Sequence, residues 1–184
     1  MGVLDGLRRV VVLGCGRCAS SCGTGGEKEV KEFVELLVGK GFVVVHSAVV
    51  EAQCDVRLSR KALKGVPEYD AVVSMACGSG AAALGMLTDK PVIPANNTLF
   101  LGVVKRVGDY VEGCKLCGDC ILVDTEGICV YARCGKGLLN GPCGGSSKGK
   151  CEKDGVSDCG WALIVERMKK RGRLKNLVKK RVRR

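Results

Sequence analysis

Eight of the thirteen cysteines lie between Cys114 and Cys159, and this segment most restricts how the chain can fold. No long apolar run separates these cysteines. Such a segment buries too little carbon surface to offset the chain entropy lost on folding. We therefore expect it to fold around inorganic centres. Its cysteines are Cys114, Cys117, Cys120, Cys129, Cys134, Cys143, Cys151 and Cys159.

Strands and helices alternate along the first 105 residues. Runs of β-branched residues predict buried strands, and apolar residues at helical spacing predict helices. This alternation is typical of a parallel sheet with right-handed crossovers, so we expect a flavodoxin-like or Rossmann-like α/β domain with about four strands. The predicted strands are residues 8–14, 42–50, 70–76 and 91–95, and the predicted helices are residues 27–41, 56–65 and 80–87.

The helix predicted over residues 27–41 has recognisable ends. Thr24 and Glu27 fit a capping box, in which each side chain bonds to the backbone N–H of the other residue. Gly41 follows the last apolar residue and fits a C-terminal stop.

Glycine and cysteine become frequent after Leu101, and helical spacing of apolar residues returns only over residues 160–172. We therefore predict a domain boundary near residue 105 and a helix at the C-terminal end. The predicted parts are an α/β domain over residues 1–105, a cysteine-rich domain held by metal clusters over residues 106–172, and a basic tail over residues 173–184.

The net charge of +11 is concentrated at the C-terminus. Residues 169–184 carry ten Lys or Arg and no acid, so the rest of the chain sums to +1. A basic tail on a neutral body is more often a solvated or partner-docking end than a nucleic-acid surface. We therefore do not expect nucleic acid to be the partner.

The cysteines also indicate the compartment. Thirteen is an odd number, and clustered pairs are not the pattern of a disulfide framework. The apolar run from Val10 to Leu13 is shorter than the roughly 7–15 residues of a signal peptide. No segment approaches the ~18 apolar residues of a membrane span. We expect a cytoplasmic protein of a reducing cell.

A first group of cysteines surrounds the end of the first predicted strand. Cys15, Cys18 and Cys22 lie in the loop that leaves it, and ligands of open α/β sheets gather at such carboxyl ends. In the usual strand order 2-1-3-4, Cys54 and Cys77 follow the two flanking strands. Four thiolates hold a 4Fe-4S cluster or a zinc ion. Cys77 is the preferred fourth ligand because glycines follow it, Cys54 is the reserve, and an inert buried thiol is the competing interpretation for one of them.

A second group begins with Cys114, Cys117 and Cys120, whose spacing matches the opening of a ferredoxin cluster run. The eight cysteines of this segment supply two four-coordinate centres, and the first group brings the total to three. Zinc competes, since all-cysteine zinc sites built from CxxC pairs are widespread. The tight triplets and glycine-rich flanks favour iron. We expect two or three 4Fe-4S clusters, with zinc as the alternative at one site.

Groups suited to catalysis are scarce. His46 is the single histidine and lies within a predicted strand, so we interpret it as a packed core residue. No Ser-His-Asp or Cys-His arrangement can be built around it, and the glycine-rich loop after the first strand lacks the G-x-G-x-x-G order of nucleotide sites. We expect no catalytic residue. Several acids beside cysteines are interpreted as solvated or as tuning a cluster: Asp119, Asp124, Glu126 and Asp158.

The cysteine motifs together closely resemble the methylenetetrahydrofolate reductase C-terminal-like family. The resemblance also takes in GCGRCASSC, QCD, MACGSG and KPVIPANNT, and so covers all but the basic tail. Its most specific part is the long CGKGLLNGPCGG stretch. The motifs are CKLCGDC at 114–120, GIC at 127–129, RCGKGLLNGPCGG at 133–145, GKCE at 149–152 and DCGW at 158–161.

The resemblance implies the small iron-sulfur subunit that accompanies the flavin-containing methylenetetrahydrofolate reductase in acetogens and related anaerobes. This subunit relays electrons to or from the flavin of a TIM-barrel partner, which acts in one-carbon metabolism, and further electron-transfer subunits fit such a complex. The chain itself is too short to contain a (β/α)8 barrel. The competing hypothesis is a zinc-stabilised nucleic-acid or protein-binding module with a basic tail.

Overall fold

The computed structural model describes residues 6–106 and 108–178. The chain divides into two compact units. The α/β unit comprises Met1–Thr98 and Val104–Tyr110, and the cysteine-rich unit comprises Leu99–Val103 and Val111–Arg184. The three predicted domains stay a prediction, and residues 179–184 of the predicted tail lie outside the described residues.

The α/β unit contains a four-stranded parallel sheet with the strand order β2-β1-β3-β4. The predicted α/β class and the strand order 2-1-3-4 are confirmed. The finer flavodoxin-like or Rossmann-like assignment stays a prediction. The strands are β1 (Arg9–Cys15), β2 (Val43–Val50), β3 (Ala71–Ser74) and β4 (Val92–Pro94).

Helices pack on both faces of this sheet because alternate residues of β1 point to opposite sides. Val10 and Val12 pack with α2, whereas Val11 and Leu13 pack with α4 through Leu84. All five side chains are fully buried. The helices are α1 (Cys18–Ser21), α2 (Glu27–Gly39), α3 (Val56–Leu63) and α4 (Gly78–Gly85).

The start of α2 differs from its prediction. Its N-cap is Gly26, whose N–H donates to the carboxylate of Glu29 over 2.9 Å. The Thr24 hydroxyl instead donates to the carbonyl of Ala19 over 3.2 Å. The capping box predicted for Thr24 and Glu27 is wrong, because Thr24 is already bonded to the end of α1.

The cysteine-rich unit has an apolar core of its own. Strands β5 (Leu101–Arg106) and β6 (Asp109–Cys114) pair as a two-stranded sheet, which sequence analysis missed. Only Leu101–Val103 of β5 and Val111–Cys114 of β6 belong to this unit. Helix α5 (Val130–Arg133), helix α6 (Gly160–Lys170) and a 3₁₀ helix (Leu174–Val178) follow. This segment therefore has an apolar core whether or not it binds an inorganic centre. The buried core residues are Ile121, Ile128, Val130, Trp161, Ile164 and Met168.

The predicted C-terminal helix is confirmed as α6, and its apolar face carries half of this core. The indole N–H of Trp161 donates to the carbonyl of Leu138 over 2.8 Å, which ties α6 to the loop before it. Among the described residues, no helix has both the length and the apolar character that crossing a membrane requires.

Candidate metal centres

Three neighbouring strands of the α/β unit end at one edge of the sheet, and a cysteine lies at or just after each end. Cys15 is the last residue of β1 and pairs in register with Val50, the last residue of β2. Cys54 lies in the turn after β2. Cys77 follows β3 as the N-cap of α4. The strand order therefore brings three cysteines to the same edge.

A buried glutamine fixes the turn that carries Cys54. The Gln53 amide nitrogen donates to the carbonyls of Leu13 (3.0 Å) and Gly14 (3.1 Å) in β1. The Ser74 hydroxyl at the end of β3 donates to the Gln53 amide oxygen. Gln53 thus bonds to both strands beside it, and its side chain is fully buried.

Cys18 begins α1 and joins this group. Burial raises the pKa of its thiol, and the charges of Cys77, Cys15 and Cys54 raise it further. Cys22 is the C-cap of α1. Ala19, the residue after Cys18, packs against Cys15 and Ala76. We call Cys15, Cys18, Cys54 and Cys77 the sheet-edge cysteines.

Small residues allow the loop after β1 to approach β3. A Cβ atom on Gly25 would overlap the carbonyl oxygen of Met75. The Asn96 side chain donates to the same Met75 carbonyl (2.9 Å) and to the carbonyl of Thr24 (3.1 Å). The loop is thus held against the strand end that precedes Cys77.

In the cysteine-rich unit, four of the eight later cysteines line one small pocket. The backbone N–H of Cys159 donates to the Gly149 carbonyl, and that of Cys151 donates to the Ser157 carbonyl, each over 2.8 Å. These bonds fold the 149–159 loop back on itself. The four-cysteine pocket is defined by Cys134, Cys143, Cys151 and Cys159.

Charged side chains also line the four-cysteine pocket. Lys136 forms an ion pair with Glu152, and the Cys143 thiol donates to the same carboxylate over 3.5 Å. A Cβ atom on Gly145 would overlap the Glu152 carboxylate, so a side chain at this position would displace that carboxylate. Arg133 adds a second positive group to the lining. Sequence analysis did not single out Glu152, because its partner lies sixteen residues away in an irregular loop.

The other four later cysteines lie from the end of β6 to the start of α5: Cys114 is the last residue of β6 and Cys129 is the N-cap of α5. The thiols of Cys114, Cys117 and Cys120 belong to exposed residues, whereas Cys129 is half-buried. The Cys114 sulfur accepts from the N–H of Leu116 over 3.3 Å. A backbone donor to this sulfur is the kind of bond that stabilises a thiolate.

A buried carboxylate in the same unit corrects one expectation. The side chain of Glu126, interpreted above as solvated or as tuning a cluster, is fully buried and pairs with Arg171 (2.7 Å) and Arg173 (3.2 Å). Arg167 donates to the Glu126 carbonyl over 3.0 Å. Glu126 is thus not a solvated loop residue, because the loop folds under α6. The only sequence feature that could have indicated this buried acid is the group of arginines at and after the end of α6, because they need negatively charged partners.

All thirteen predicted ligands are free thiols. Within residues 6–106 and 108–178, no three Cys, His, Asp or Glu side chains converge closely enough to hold a metal ion as they stand. The number and kind of donors fit a tetrathiolate centre at the sheet edge and in the four-cysteine pocket, because a cation favours thiolates that otherwise repel one another. The ligands themselves stay a prediction.

An α/β unit joined to a unit with eight clustered cysteines is a scaffold rich in candidate metal ligands. The family described as methylene-tetrahydrofolate reductase C terminal matches residues 93–184, which is half of the chain. The chain belongs to this family, as its motifs predicted. The match includes the basic tail, so the expectation that the tail falls outside the resemblance is wrong. A search of curated proteins and of solved structures found no match.

Proposed function

We propose that the chain is the iron-sulfur electron-transfer subunit of a methylenetetrahydrofolate, or related methylene-pterin, reductase complex. In this role it relays electrons to or from the flavin of a TIM-barrel partner, and further electron-transfer subunits fit the same complex. The observation that carries the proposal is the four-cysteine pocket, which lies within the part of the chain that matches the family.

The residues of the pocket suit a bound cluster. Iron-sulfur clusters supply one-electron transfer when bound, and their reduction potential depends on nearby charges and hydrogen bonds. Cys134, Cys143, Cys151 and Cys159 would be the ligands. Lys136 lies where a positive charge would offset the negative charge of four thiolates. Its ion pair with Glu152 orients it. The hydrogen bond from the Cys143 thiol to Glu152 would be lost when this thiol gives up its proton to bind a cluster.

The remaining cysteines have parallel assignments. Cys114, Cys117, Cys120 and Cys129 would hold a second centre between the end of β6 and the start of α5. The proposal places pterin reduction on the partner, and it assigns the present chain only the binding and orientation of redox centres.

Three basic residues near the C-terminus pair with acids of their own unit. Arg171 and Arg173 pair with the buried Glu126, and Lys170 pairs with Glu166 over 2.7 Å. These three charges are less available to phosphates than unpaired ones, which favours the electron-transfer role over a nucleic-acid-binding module.

The test is anaerobic purification of the full chain together with its flavin-containing partner. Broad absorption near ~400 nm, iron with matching labile sulfide, and reduction of the partner's flavin through the subunit are expected. Cys151→Ser should lose iron, whereas Ser146→Ala, which changes the same pocket without removing a thiol, should keep it. A colourless zinc protein that does not reduce the flavin would instead identify a zinc-stabilised module.

A further inference from the structure

We propose that the cysteine-rich unit binds a small organic oxyanion, a carboxylate or a phosphate ester, in a second cavity beside the four-cysteine pocket. The cavity has a volume of about 280 Å³, near the lower end of the roughly 300–1,000 Å³ of small-molecule pockets. Arg133 and Lys153 are its cations, and Val111 and Ala132 give it an apolar side that suits a carbon body. Binding there needs no metal in the four-cysteine pocket.

The acids that line the second cavity already have partners. Glu112 pairs with Lys115 over 2.8 Å, and Asp158 pairs with Lys150 over the same distance. The Asp154 carboxylate accepts from one hydroxyl and two backbone N–H groups of its own turn. Together with the two cations of the lining, the two lysines make four cations against these three acids. The acids therefore leave no negative site that would favour a cation over an anion.

The cations of the lining, in contrast, have donors to spare. Within the part of the chain that the structure describes, neither Arg133 nor Lys153 pairs with an acid, and the Arg133 guanidinium makes no hydrogen bond. Lys153 donates to the Gly135 carbonyl over 3.0 Å. An ammonium group has three donors and a guanidinium has five, so most of these donors stay available. A free guanidinium fork binds a carboxylate or a phosphate through two parallel N–H bonds.

Close packing fixes the positions from which both cations extend. A Cβ atom on Gly160 would lie 2.9 Å from the Arg133 Cβ, so the first residue of α6 packs against the end of α5. A Cβ atom on Gly135 would lie 3.0 Å from the Lys153 Cδ, so the stem of this lysine lies along the loop after α5. Side chains held in this way lose less conformational entropy when an anion binds.

Arg133 also lines the four-cysteine pocket, and Cys151 lies with it on the wall that the two cavities share. A guanidinium that only offset the charge of the pocket's thiolates would add nothing to anion binding. Lys153 lines the second cavity and not the four-cysteine pocket. The two interpretations of Arg133 therefore predict different affinities for an added anion.

The test is isothermal titration calorimetry of the full chain, purified anaerobically, with succinate in one arm and glycerol phosphate in the other. We expect saturable binding of one anion per chain in at least one arm, weakening as salt is added because salt screens the attraction. The arm with the tighter binding identifies the head group. Absence of saturable binding in both arms would overturn the proposal.

Matched variants locate the anion. Arg133→Gln should weaken binding at least about tenfold, because hydrogen bonds between charged groups are strong. Lys148→Gln removes the same charge from an exposed position outside the lining, and it should change the affinity by less than about twofold. Equal affinities of the two variants would mean that the attraction is diffuse, or that Arg133 serves only the thiolates, and would overturn the proposal.

Lys153→Gln changes an exposed residue and decides the matter if Arg133→Gln fails to fold. It should also weaken binding, whereas an affinity equal to that of the parent chain would contradict the assigned site. Iron and sulfide, measured in the same samples, report on the proposed function separately. Loss of anion binding at full iron content would count against the second cavity alone, and anion binding without iron would count against the electron-transfer role alone.

Discussion

The two units hold their cysteines in different ways. In the α/β unit, the cysteines follow strands whose central residues, Val10 to Leu13, are fully buried and hydrogen-bonded into a sheet. In the cysteine-rich unit, most cysteines lie in loops between short elements, around a core of six buried residues. The first unit has a scaffold that creates its candidate site. In the second, a bound centre would supply part of the folding free energy.

Removal of bound metal should therefore produce the largest difference in stability between the two units. After treatment with a chelator, we expect amides of the 134–159 loops to lose protection from hydrogen exchange, while β1 and β3 keep theirs. The reason is that ligand-held loops lose the centre that joins them, whereas the sheet keeps its backbone ladder. Mass-spectrometric hydrogen exchange measures both units in one sample. If both units lost the same amount of protection from hydrogen exchange, the α/β unit would depend on bound metal as much as the cysteine-rich unit does.

The apolar core of the cysteine-rich unit gives the next largest effect. Ile164 is fully buried in α6, so Ile164→Ala should cost about 2–5 kcal/mol through lost burial and the cavity left behind. Urea unfolding with metal bound measures this change. Val165→Ala, at a half-buried position of the same helix, is the control and should cost less. A negligible cost at Ile164 would mean that bound centres, and not this core, hold the unit together.

The same contrast explains what the sequence could predict. Strands such as 42–50 and helices such as 56–65 were predicted nearly to the residue, because their apolar periodicity is local. The β5–β6 pair was missed, although Gly108 takes the positive φ of a tight turn. The reason is that β5 is exposed along its whole length and β6 is mostly half-buried, so neither strand alternates regularly between buried and exposed residues. Much of the cysteine-rich unit consists of irregular loops, whose apolar residues have no regular spacing from which a strand or helix could be predicted.

The residues of the candidate site also fall into those whose position could be predicted from the sequence and those whose role could not. The meeting of Cys15, Cys54 and Cys77 at one edge could be predicted, since strand order alone decides it. The roles of Gln53 and Glu126 could not. Their partners lie up to 47 residues away in the chain, and a buried polar side chain is recognised only when its specific donors and acceptors are known.

Gln53→Leu tests whether the scaffold creates the sheet-edge site. The substitution keeps the approximate volume but removes the side-chain donor to the Leu13 and Gly14 carbonyls and the acceptor of the Ser74 hydroxyl, at a cost of about 1–3 kcal/mol. The Leu13 carbonyl keeps its bond from the Met75 N–H. We expect Cys54 to lose its protection from alkylation while Cys134 keeps its own. Gln53→Glu keeps an acceptor for the Ser74 hydroxyl. If Gln53 acts by positioning Cys54, this variant should restore part of the protection of Cys54 from alkylation. Unchanged reactivity of Cys54 in the leucine variant would show that Gln53 does not position this cysteine.

Glu126→Gln tests a buried contact in the other unit. The substitution removes the charge that pairs with Arg171 and Arg173, and we expect a cost of about 1–2 kcal/mol because both arginines can return to water. The measurement is urea unfolding followed through the fluorescence of Trp161. Glu166→Gln, which breaks an exposed pair with Lys170, is the control and should change little. Equal effects of the two substitutions would indicate that burial of Glu126 adds nothing.

The smallest effect should come from an exposed helix cap in the α/β unit. The side chain and backbone N–H of Arg57 bond to the Asp55 carboxylate and lower its pKa from 3.8 to about 2. A group whose pKa is lowered by folding adds stability above its unfolded pKa and loses it as the pH falls through the folded value. Asp55→Ala should therefore increase hydrogen exchange in α3 at neutral pH, and the difference from the parent chain should disappear as the pH falls from about 4 towards 2.

In the cysteine-rich unit, the Ser157 hydroxyl likewise lowers the pKa of Asp154, so Asp154→Ala is the matched variant. If the 154–157 turn lost its protection at neutral pH regardless of bound metal, then even the loops of the cysteine-rich unit would depend on local caps in the way that α3 does, and the contrast between the two units would narrow to their cores.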